Sequence, residues 1–282
     1  MPPRGKKDGP PAARGRSAPP AGGLFAGLGR EKAAAAPVSG APPAPVAGDS
    51  GSGRASGPSR ADGVSGPAAD PGAAGKRLSG LLSFDLAYGE PLAGLDEAGR
   101  GPLAGPLVAA AVVLDPAVAY PGVDDSKRLS PKERERAAAM IRERALCWAL
   151  AERSPAEVDA LNPLRASMEA MAEAFSALRF RPLLALADGN VRPPITSARV
   201  EAVVRGDSRS LAVAAASILA KTARDAEMER LHALYPRYGF DRNKGYGTRE
   251  HLEALARHGP SPVHRLSYKG VAGPPGRPGG LF

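Results

Sequence analysis

Apolar and polar positions divide the chain into an N-terminal segment without periodic patterns and a longer part with clear helix and strand patterns. Residues 1–78 are mostly Gly, Pro, Ala and Ser, with few branched apolar or aromatic side chains. Such a segment buries too little apolar surface to offset the entropy of ordering its backbone. The pattern predicts a disordered N-terminal tail over 1–78, a folded domain over 79–270 and a flexible C-terminal tail over 271–282.

Strand and helix patterns are interspersed within the predicted domain. Apolar runs that end in turns predict strands at LAGLDEAGRG (92–101), LVAAAVVL (107–114), RPLLALADGN (181–190) and ARVEAVVRGDS (198–208). Helical spacing predicts helices over 130–146, 162–179, 211–234 and 248–259. The first of these opens with Ser-Pro-Lys-Glu, which is a helix start signal. Several strands with interspersed helices predict an α/β layer fold.

The net charge of +9 changes this picture little, because most of it lies outside the predicted domain. The first 80 residues hold 11 Lys and Arg against 5 Asp and Glu, so they carry six of the nine excess positive charges. The tail would add salt-sensitive attraction to phosphates, and a purely solubilising role is the alternative.

Cysteine content and hydropathy exclude several classes of protein. The single cysteine, Cys147, excludes an intramolecular disulfide framework and a cysteine-based zinc site, and its apolar surroundings (ALCWAL) predict a core position. No apolar run approaches the roughly 20 residues of a membrane span, and the N-terminus lacks a secretory h-region. These features indicate a cytoplasmic protein, with an organelle transit peptide as the alternative.

Carboxylates recur where predicted strands end. Asp96 and Glu97 end one strand, Asp188 ends another and Asp207 ends a third. Strand ends and their loops converge in α/β sheets, so these acids could share one pocket. Clustered carboxylates are tolerated when hard divalent cations such as Mg²⁺ neutralise them, and two ions about 4 Å apart are the usual arrangement for phosphodiester hydrolysis.

Each acid also has a structural explanation when it is taken alone. Asp96 and Glu97 fit a surface turn, Asp188 fits a turn before Gly-Asn, and Asp207 fits the N-cap of the following helix. Asp225 is a rival fourth acid. A continuous helix would separate it from Asp207 by 18 residues, or roughly 27 Å, so only one of the two can join the cluster.

Five stretches together closely resemble bacterial ribonuclease HII, in order and from Leu92 to Tyr268. They are GLDEAGRGPLAGPLVAAAVVL, DDSKRLSPKERE, ADGN, RGDSRSLAVAAASILAKTARDAEM and YGFDRNKGYGTREHLEALARHGPSPVHRLSY. The resemblance implies a ribonuclease H-like fold, with a mixed central sheet flanked by helices. It implies an endonuclease that hydrolyses the RNA strand of RNA–DNA hybrids and incises 5′ to ribonucleotides in duplex DNA, leaving 3′-OH and 5′-phosphate ends, with two Mn²⁺ or Mg²⁺ ions during catalysis.

The resemblance also implies roles for individual residues. The metal-binding and catalytic acids of the family fall on Asp96, Glu97, Asp188 and Asp207, which leaves Asp225 outside the site. The Gly-Arg-Gly motif falls on Gly99, Arg100 and Gly101, whose backbone would meet the ribose 2′-OH, the group that distinguishes RNA from DNA locally. A glycine there lets backbone approach the ligand closely.

Further positions match the family outside these two motifs. The family's junction-sensing tyrosine falls on Tyr246, which would otherwise be read as a half-buried core aromatic. Four cationic side chains have two interpretations: contact with substrate phosphates, or a solvated or helix-capping role. For His264 a structural hydrogen bond is favoured. The cations are Lys127, Lys221, Arg224 and Arg265.

Other readings and partners stay open at this stage. A catalytically silent hybrid-binding protein conflicts with the intact acid set, and a junction resolvase conflicts with the Gly-Arg-Gly and Lys-Gly-Tyr motifs. The N-terminus does not resemble the folded extra domain of ribonuclease HIII. The expected partners are RNA–DNA hybrids and ribonucleotide-containing DNA, bound by a monomer. GGLF at 22–25 and 279–282 could be a sliding-clamp peptide, but without a preceding Gln a chance match explains it better.

Overall fold

The computed structural model describes the backbone of residues 71–271 and the side chains of that range other than those of 71–77 and 79. Most of the predicted N-terminal tail, the C-terminal tail beyond Val271 and both GGLF segments lie outside the described residues. The first helix begins at Pro71 and therefore crosses the boundary predicted between residues 78 and 79.

Helices and strands are interspersed along the described chain. The helices are α1 (Pro71–Leu86), α2 (Pro131–Arg144), α3 (Pro155–Leu161), α4 (Pro163–Ser176), α5 (Leu211–Leu234), α6 (Phe240–Asn243) and α7 (Arg249–His258). The strands are β1 (Leu92–Ala98), β2 (Leu107–Val113), β3 (Cys147–Arg153), β4 (Leu184–Asp188) and β5 (Arg199–Val203). No helix in residues 71–271 is long and apolar enough to cross a membrane.

Within this range the five strands form one mixed sheet in the order β3-β2-β1-β4-β5. The pairs β1–β2 and β2–β3 are antiparallel, whereas β1–β4 and β4–β5 are parallel. The parallel pairs bring the carboxyl ends of β1, β4 and β5 to one edge of the sheet. The predicted α/β class with a mixed central sheet is confirmed.

Helices cover both faces of the sheet, which explains the continuous apolar run of β2. Ala109 and Ala111 of β2 pack in the cluster that contains α4, and Ala110 and Val112 pack in the cluster that contains α2 and α5. Every residue of β2 is buried. A strand that is covered on both sides has no solvated face and therefore shows no alternation of apolar and polar residues.

Helix α5 lies unusually close to β1. A Cβ at Gly94 would overlap the main chain of Ala212 and Val213, so only glycine permits this approach. The buried side of α5 is rich in small residues, including Ala214, Ala215 and Ser217. This contact places the middle of α5 directly beside the end of β1, where two of the predicted site residues lie.

The end of α1 is fastened to the start of α5. Asp85 Oδ2 accepts the Ala212 N–H at 2.9 Å, and the Phe84 ring lies 4.9 Å from the Arg209 guanidinium. Asp85 Oδ1 is buried and has no hydrogen-bond partner among the described residues. Burial raises the pKa of Asp85 to about 6, against the hydrogen bonds that lower it.

The Asp85 contact predicts a pH dependence of stability. Because the folded-state pKa of about 6 exceeds the ordinary value of 3.8, the folded protein binds this proton more tightly than the unfolded chain does. The free energy of unfolding should therefore fall as pH rises from about 4 to about 6. Asp85→Asn keeps an acceptor for the Ala212 N–H but cannot ionise, so the fall should be smaller. Urea unfolding of both proteins across this interval measures it, and parallel profiles would contradict the assignment.

Candidate active site

Asp96 and Asp188 lie on two neighbouring parallel strands, Asp96 near the carboxyl end of β1 and Asp188 at the end of β4. The register pairs Leu95 of β1 with Ala187 of β4, so the aspartates that follow these two residues are adjacent. Even-numbered residues at this end of β1 face α5, and Asp96 is only 5% exposed there. One Asp96 oxygen accepts the Glu97 N–H at 2.7 Å, and Ser217 of α5 also hydrogen-bonds the carboxylate.

Glu97 points to the opposite face of the sheet, as the next residue of a strand must. There its side chain is hydrogen-bonded to Ser167 of α4, and Oε1 forms an ion pair with Arg100 at 2.6 Å. Glu97 Oε2 is buried with no hydrogen-bond partner in the described part of the chain. Two adjacent carboxylates therefore reach the site from two sides of one strand end.

Asp207 lies in a short 3₁₀ turn, Gly206–Ser208, between β5 and α5. The Gly206 N–H of this turn donates to Asp188 Oδ1 at 2.7 Å, which joins the turn to the end of β4. Asp207 is 4% exposed and accepts a hydrogen bond from Lys127 Nζ at 2.9 Å. The N-cap of α5 is Ser210, so the capping role considered for Asp207 is wrong.

Burial and mutual repulsion disfavour the charged form of these acids. Burial, followed by the charges of Glu97 and Asp188, raises the pKa of Asp96 well above its ordinary value. Burial also raises the pKa of Glu97 against the opposing charge of Arg100, and burial with the charge of Asp207 raises the pKa of Asp188. Nearby positive charge would stabilise all three in their ionised forms.

The donor set fits a hard divalent cation. It consists of carboxylate and hydroxyl oxygens, and the unpartnered Oε2 of Glu97 is a buried acceptor that a cation would satisfy. Across residues 71–271, however, no three His, Cys, Asp or Glu side chains converge closely enough to hold one ion. Two of the acids are instead paired with cations, Asp207 with Lys127 and Glu97 with Arg100.

A cleft of about 260 Å³ opens over these acids. Its lining comprises Asp96, Glu97, Ala98, Gly99, Arg100, Gly101, Ser126, Lys127, Asp188, Ser217, Lys221, Arg224 and Tyr246. Asp207 lies beside the cleft and is connected to it through Lys127. The sequence predicts that the acids and the Gly-Arg-Gly motif belong to one site, and the structure brings them together around this cleft. Lys127 and Tyr246 line the same cleft.

The Gly-Arg-Gly loop and Tyr246 are neighbours at the mouth of the cleft. A Cβ added at Gly101 would lie 3.8 Å from Tyr246 Cε1, and the Tyr246 ring is 48% exposed. Gly99 has φ +100°, and a Cβ there would overlap the Arg224 side chain. Gly101 thus offers bare backbone next to an accessible aromatic ring.

Asp225 lies apart from the cleft. Its carboxylate pairs with Lys221 at 2.6 Å and with Arg134 of α2 at 3.3 Å, so it connects α2 to α5. The structure therefore gives this rival acid a packing role between two helices.

Comparison with known proteins identifies the family. A sequence model described as Ribonuclease HII matches residues 93–271. The Ribonuclease HII of Dechloromonas aromatica is 58% identical over 179 residues, which are 64% of this chain and 91% of that protein. The Ribonuclease HII of Idiomarina loihiensis is 51% identical over 180 residues, 64% of this chain and 96% of that protein. The chain belongs to the ribonuclease HII family.

Solved structures agree with this membership. The ribonuclease H2 of Pyrococcus horikoshii superposes with a TM-score of 0.56 at 29% identity, over 64% of this chain and 95% of that one. The RNase HII of Archaeoglobus fulgidus, solved as a complex with PCNA, gives a TM-score of 0.53 at 32% identity over the same shares. The predicted ribonuclease H-like fold is confirmed. Membership in the ribonuclease HII family makes the chain an endonuclease that acts on the RNA of RNA–DNA hybrids.

Two arginines considered as phosphate ligands are instead buried within the ribonuclease HII domain. Arg224 is 1% exposed and donates to the carbonyls of Ala104, Pro106 and Lys244. Arg265 is fully buried and donates to the carbonyls of Gly99, Arg100 and Gly105, which lie in the loop between β1 and β2 (99–106) that contains the Gly-Arg-Gly motif. The phosphate-contact interpretation of both is wrong.

These two buried arginines fix the main chain of the loop between β1 and β2. Residue type alone does not reveal this role. A guanidinium carries five donors and can therefore hold several main-chain carbonyls at once. Arg224 and Arg265 together hold five carbonyls of this loop, those of Gly99, Arg100, Ala104, Gly105 and Pro106, and so fix its main chain beside the cleft. His264 is buried and hydrogen-bonded, in agreement with its predicted structural role.

Replacing Arg224 should destabilise the domain strongly. Arg224→Met removes the donors of three buried carbonyls, and the free energy of unfolding should fall by about 3 kcal/mol or more. The matched control is Arg249→Met, whose side chain is 94% exposed and whose effect should stay within about 0.5 kcal/mol. Urea unfolding at one pH compares the two variants. Equal stabilities would show that the buried contacts of Arg224 do not hold the loop.

Proposed function

We propose that this cleft is the active site of a divalent-cation-dependent endonuclease that also incises 5′ to single ribonucleotides embedded in duplex DNA, leaving 3′-OH and 5′-phosphate ends. One observation carries the proposal: the buried Asp96 and the half-buried Glu97 and Asp188 line the same cleft as the bare backbone of Gly101 and the accessible ring of Tyr246. A site for phosphodiester chemistry thus adjoins a surface suited to a ribose and its base.

The acids would hold the cations. Asp96, Glu97, Asp188 and Asp207 offer oxygen ligands from three strand ends, and two Mn²⁺ or Mg²⁺ ions are the proposed complement. When bound, such ions supply Lewis-acid stabilisation of the charge that develops on the attacking and leaving oxygens. Arg100 and Lys127, which now neutralise Glu97 and Asp207, would be released from those carboxylates and become available to substrate phosphates.

Lys127 is well placed for such an exchange. Its side chain is 78% exposed although its Nζ reaches the buried Asp207. The hydrogen bond to Asp207 raises the pKa of Lys127, so the amine is charged at neutral pH. A flexible, exposed and charged amine can follow a phosphate at little cost, because its stem is not packed in the core.

The ribose reader is the second part of the proposal. Backbone groups of Gly99, Arg100 and Gly101 would meet the 2′-OH, and the Tyr246 ring would lie against the sugar or base beside it. DNA lacks the 2′-OH, so contacts to this group favour a ribonucleotide over a deoxyribonucleotide at the same position. A hydrogen bond from the Tyr246 hydroxyl would add to the stacking of its ring.

The last part of the proposal concerns the cellular setting. We infer a monomer that acts in the cytoplasm and removes ribonucleotides from DNA. The Archaeoglobus fulgidus relative was solved with PCNA, and a sliding clamp is a possible partner by analogy. The GGLF segments that would serve it lie outside the described residues.

Removing one acid should separate chemistry from binding. Asp96→Asn or Asp188→Asn keeps the size of the side chain but removes an anionic ligand, so cleavage of an RNA–DNA hybrid should fall by at least about a hundredfold, about 2.7 kcal/mol of barrier. Hybrid binding in Ca²⁺, measured by fluorescence anisotropy, should persist. Asp225→Asn is the matched control and should retain activity at a temperature where it is folded. Substantial cleavage by Asp188→Asn would remove that residue from the mechanism.

Tyr246 should matter more for a single ribonucleotide than for a continuous hybrid. A hybrid offers neighbouring 2′-OH groups in other registers, whereas an embedded ribonucleotide offers one. Tyr246→Ala should therefore slow incision at the single site more than cleavage of the hybrid. Tyr246→Phe keeps the ring and deletes one hydrogen bond, typically about 0.5–1.5 kcal/mol. Rates on both substrates measure the ratio, and equal slowing by Tyr246→Ala would exclude a junction-reading role.

A further inference from the structure

Two buried histidines lie behind the Tyr246 loop, outside the acidic cleft. His251 is on α7 and is fully buried, and His264 follows α7 and is 3% exposed. Their Nε2 atoms are 3.0 Å apart. Burial lowers the pKa of both imidazoles, and that of His264 to about 4. Both rings are therefore neutral near pH 7, and each carries one N–H.

The position of both protons follows from the two ends of the chain of hydrogen bonds. The Ser261 N–H donates to His264 Nδ1 at 2.9 Å, so this nitrogen is an acceptor and the proton of His264 is on Nε2. His264 Nε2–H then donates to His251 Nε2, and the proton of His251 must be on Nδ1. His251 Nδ1 is 2.8 Å from the Tyr246 carbonyl oxygen, which can only accept. All the hydrogen bonds therefore point the same way, from the Ser261 N–H through His264 and His251 to the Tyr246 carbonyl, and each donor has an acceptor.

The surroundings protect this chain of hydrogen bonds from water. The Tyr238 ring lies 4.7 Å from the His264 ring, and the Phe240 ring lies 5.4 Å from the His251 ring, both edge to face. Tyr238 is itself fixed, because its hydroxyl donates to the Gly259 carbonyl at 2.8 Å. Low exposure strengthens the hydrogen bonds and makes an unpaired imidazole nitrogen costly.

Tyr246 depends on its main chain for its position. The residue is 48% exposed, and the Arg224 guanidinium lies 6.0 Å from the centroid of its ring. The two preceding residues, Lys244 and Gly245, both have positive φ, of 48° and 84°. A non-glycine residue in this conformation costs energy and persists only when its surroundings enforce it. The Tyr246 carbonyl is held by His251 and by the Thr248 N–H at 2.8 Å.

We propose that His251 and His264 form a directional hydrogen-bond relay that positions Tyr246, and through it determines selectivity for the ribonucleotide at an RNA–DNA junction. This role rests on the proposed function, because it assigns the two histidines to the residue that reads the junction. They are positioning residues, since neither lines the cleft. The segment that carries His264 is also paired with the loop that follows the Gly-Arg-Gly motif. The Gly105 N–H donates to the Val263 carbonyl, and the Arg265 N–H donates to the Leu103 carbonyl.

The first measurement is independent of nuclease activity. Nitrogen-15 NMR of the imidazoles in the full chain distinguishes protonated from bare ring nitrogens, and with four histidines the signals can be assigned by single replacements. We expect His264 as the Nε2–H form and His251 as the Nδ1–H form near pH 7, with exposed His258 as the reference. A His251 proton on Nε2, or a charged imidazole in either residue, would overturn the relay.

The second measurement uses conservative rescue. In His251→Asn the amide nitrogen can replace Nδ1 as donor to the Tyr246 carbonyl, whereas His251→Leu offers no donor. The Leu variant should lower the ratio of single-ribonucleotide incision to hybrid cleavage by roughly two- to tenfold, the effect of one hydrogen bond. The Asn variant should recover most of that ratio. Circular dichroism confirms that each variant is folded before its rates are compared.

The outcomes separate the relay from the function on which it rests. If Tyr246→Ala changes the ratio but the two His251 variants share the wild-type ratio, the relay proposal fails and the reading role of Tyr246 stands. If Tyr246→Ala leaves the ratio unchanged, the reading role fails and the selectivity claim for the relay fails with it. Should His251→Leu not fold, the NMR result still decides, because a His251 proton on Nε2 overturns the relay without any rate measurement.

Discussion

Two carboxylates of like charge, Asp96 and Asp188, are held side by side because they lie on neighbouring parallel strands, near the carboxyl end of each. The sheet prevents them from separating, and water screens them poorly because Asp96 is buried under α5 and Asp188 is half-buried. The pKa of each is raised accordingly. Two hydrogen bonds partly offset the repulsion by stabilising the ionised carboxylates: Ser217 donates to Asp96, and the Gly206 N–H donates to Asp188. Divalent cations would reduce this repulsion further. The paired carboxylates are therefore a feature expected of a metal-dependent catalytic site.

Around this charged centre the main chain is fixed by buried side chains. Arg224 and Arg265 hold carbonyls of the loop between β1 and β2, and His251 contacts the carbonyl of Tyr246. The proposed ribose-reading surface consists of backbone and one exposed ring, which makes few packing contacts possible. Buried donors in fixed directions supply the rigidity that such a surface lacks.

Sequence patterns predict the elements that carry their own signals. The run at 107–114 and the helix at 211–234 are confirmed, because each has a long and consistent period. β3 escaped prediction although its residues alternate between buried and half-buried, and α3 escaped although Ser154 and Glu157 form the capping box found at α2. The acids were predicted from their strand ends and the resemblance. The roles of Arg224 and His251 depend on contacts between residues distant in sequence, which no local pattern contains.

The most direct test of the account is the product of one reaction. A DNA duplex with a single embedded ribonucleotide is incubated with the full chain in Mg²⁺ or Mn²⁺, with EDTA as the control, and the ends are mapped on a sequencing gel. The account predicts one incision, on the 5′ side of the ribonucleotide, with 3′-OH and 5′-phosphate ends and none in EDTA. Incision on the 3′ side, cleavage without a divalent cation, or cleavage of all-DNA duplex at the same rate would contradict it.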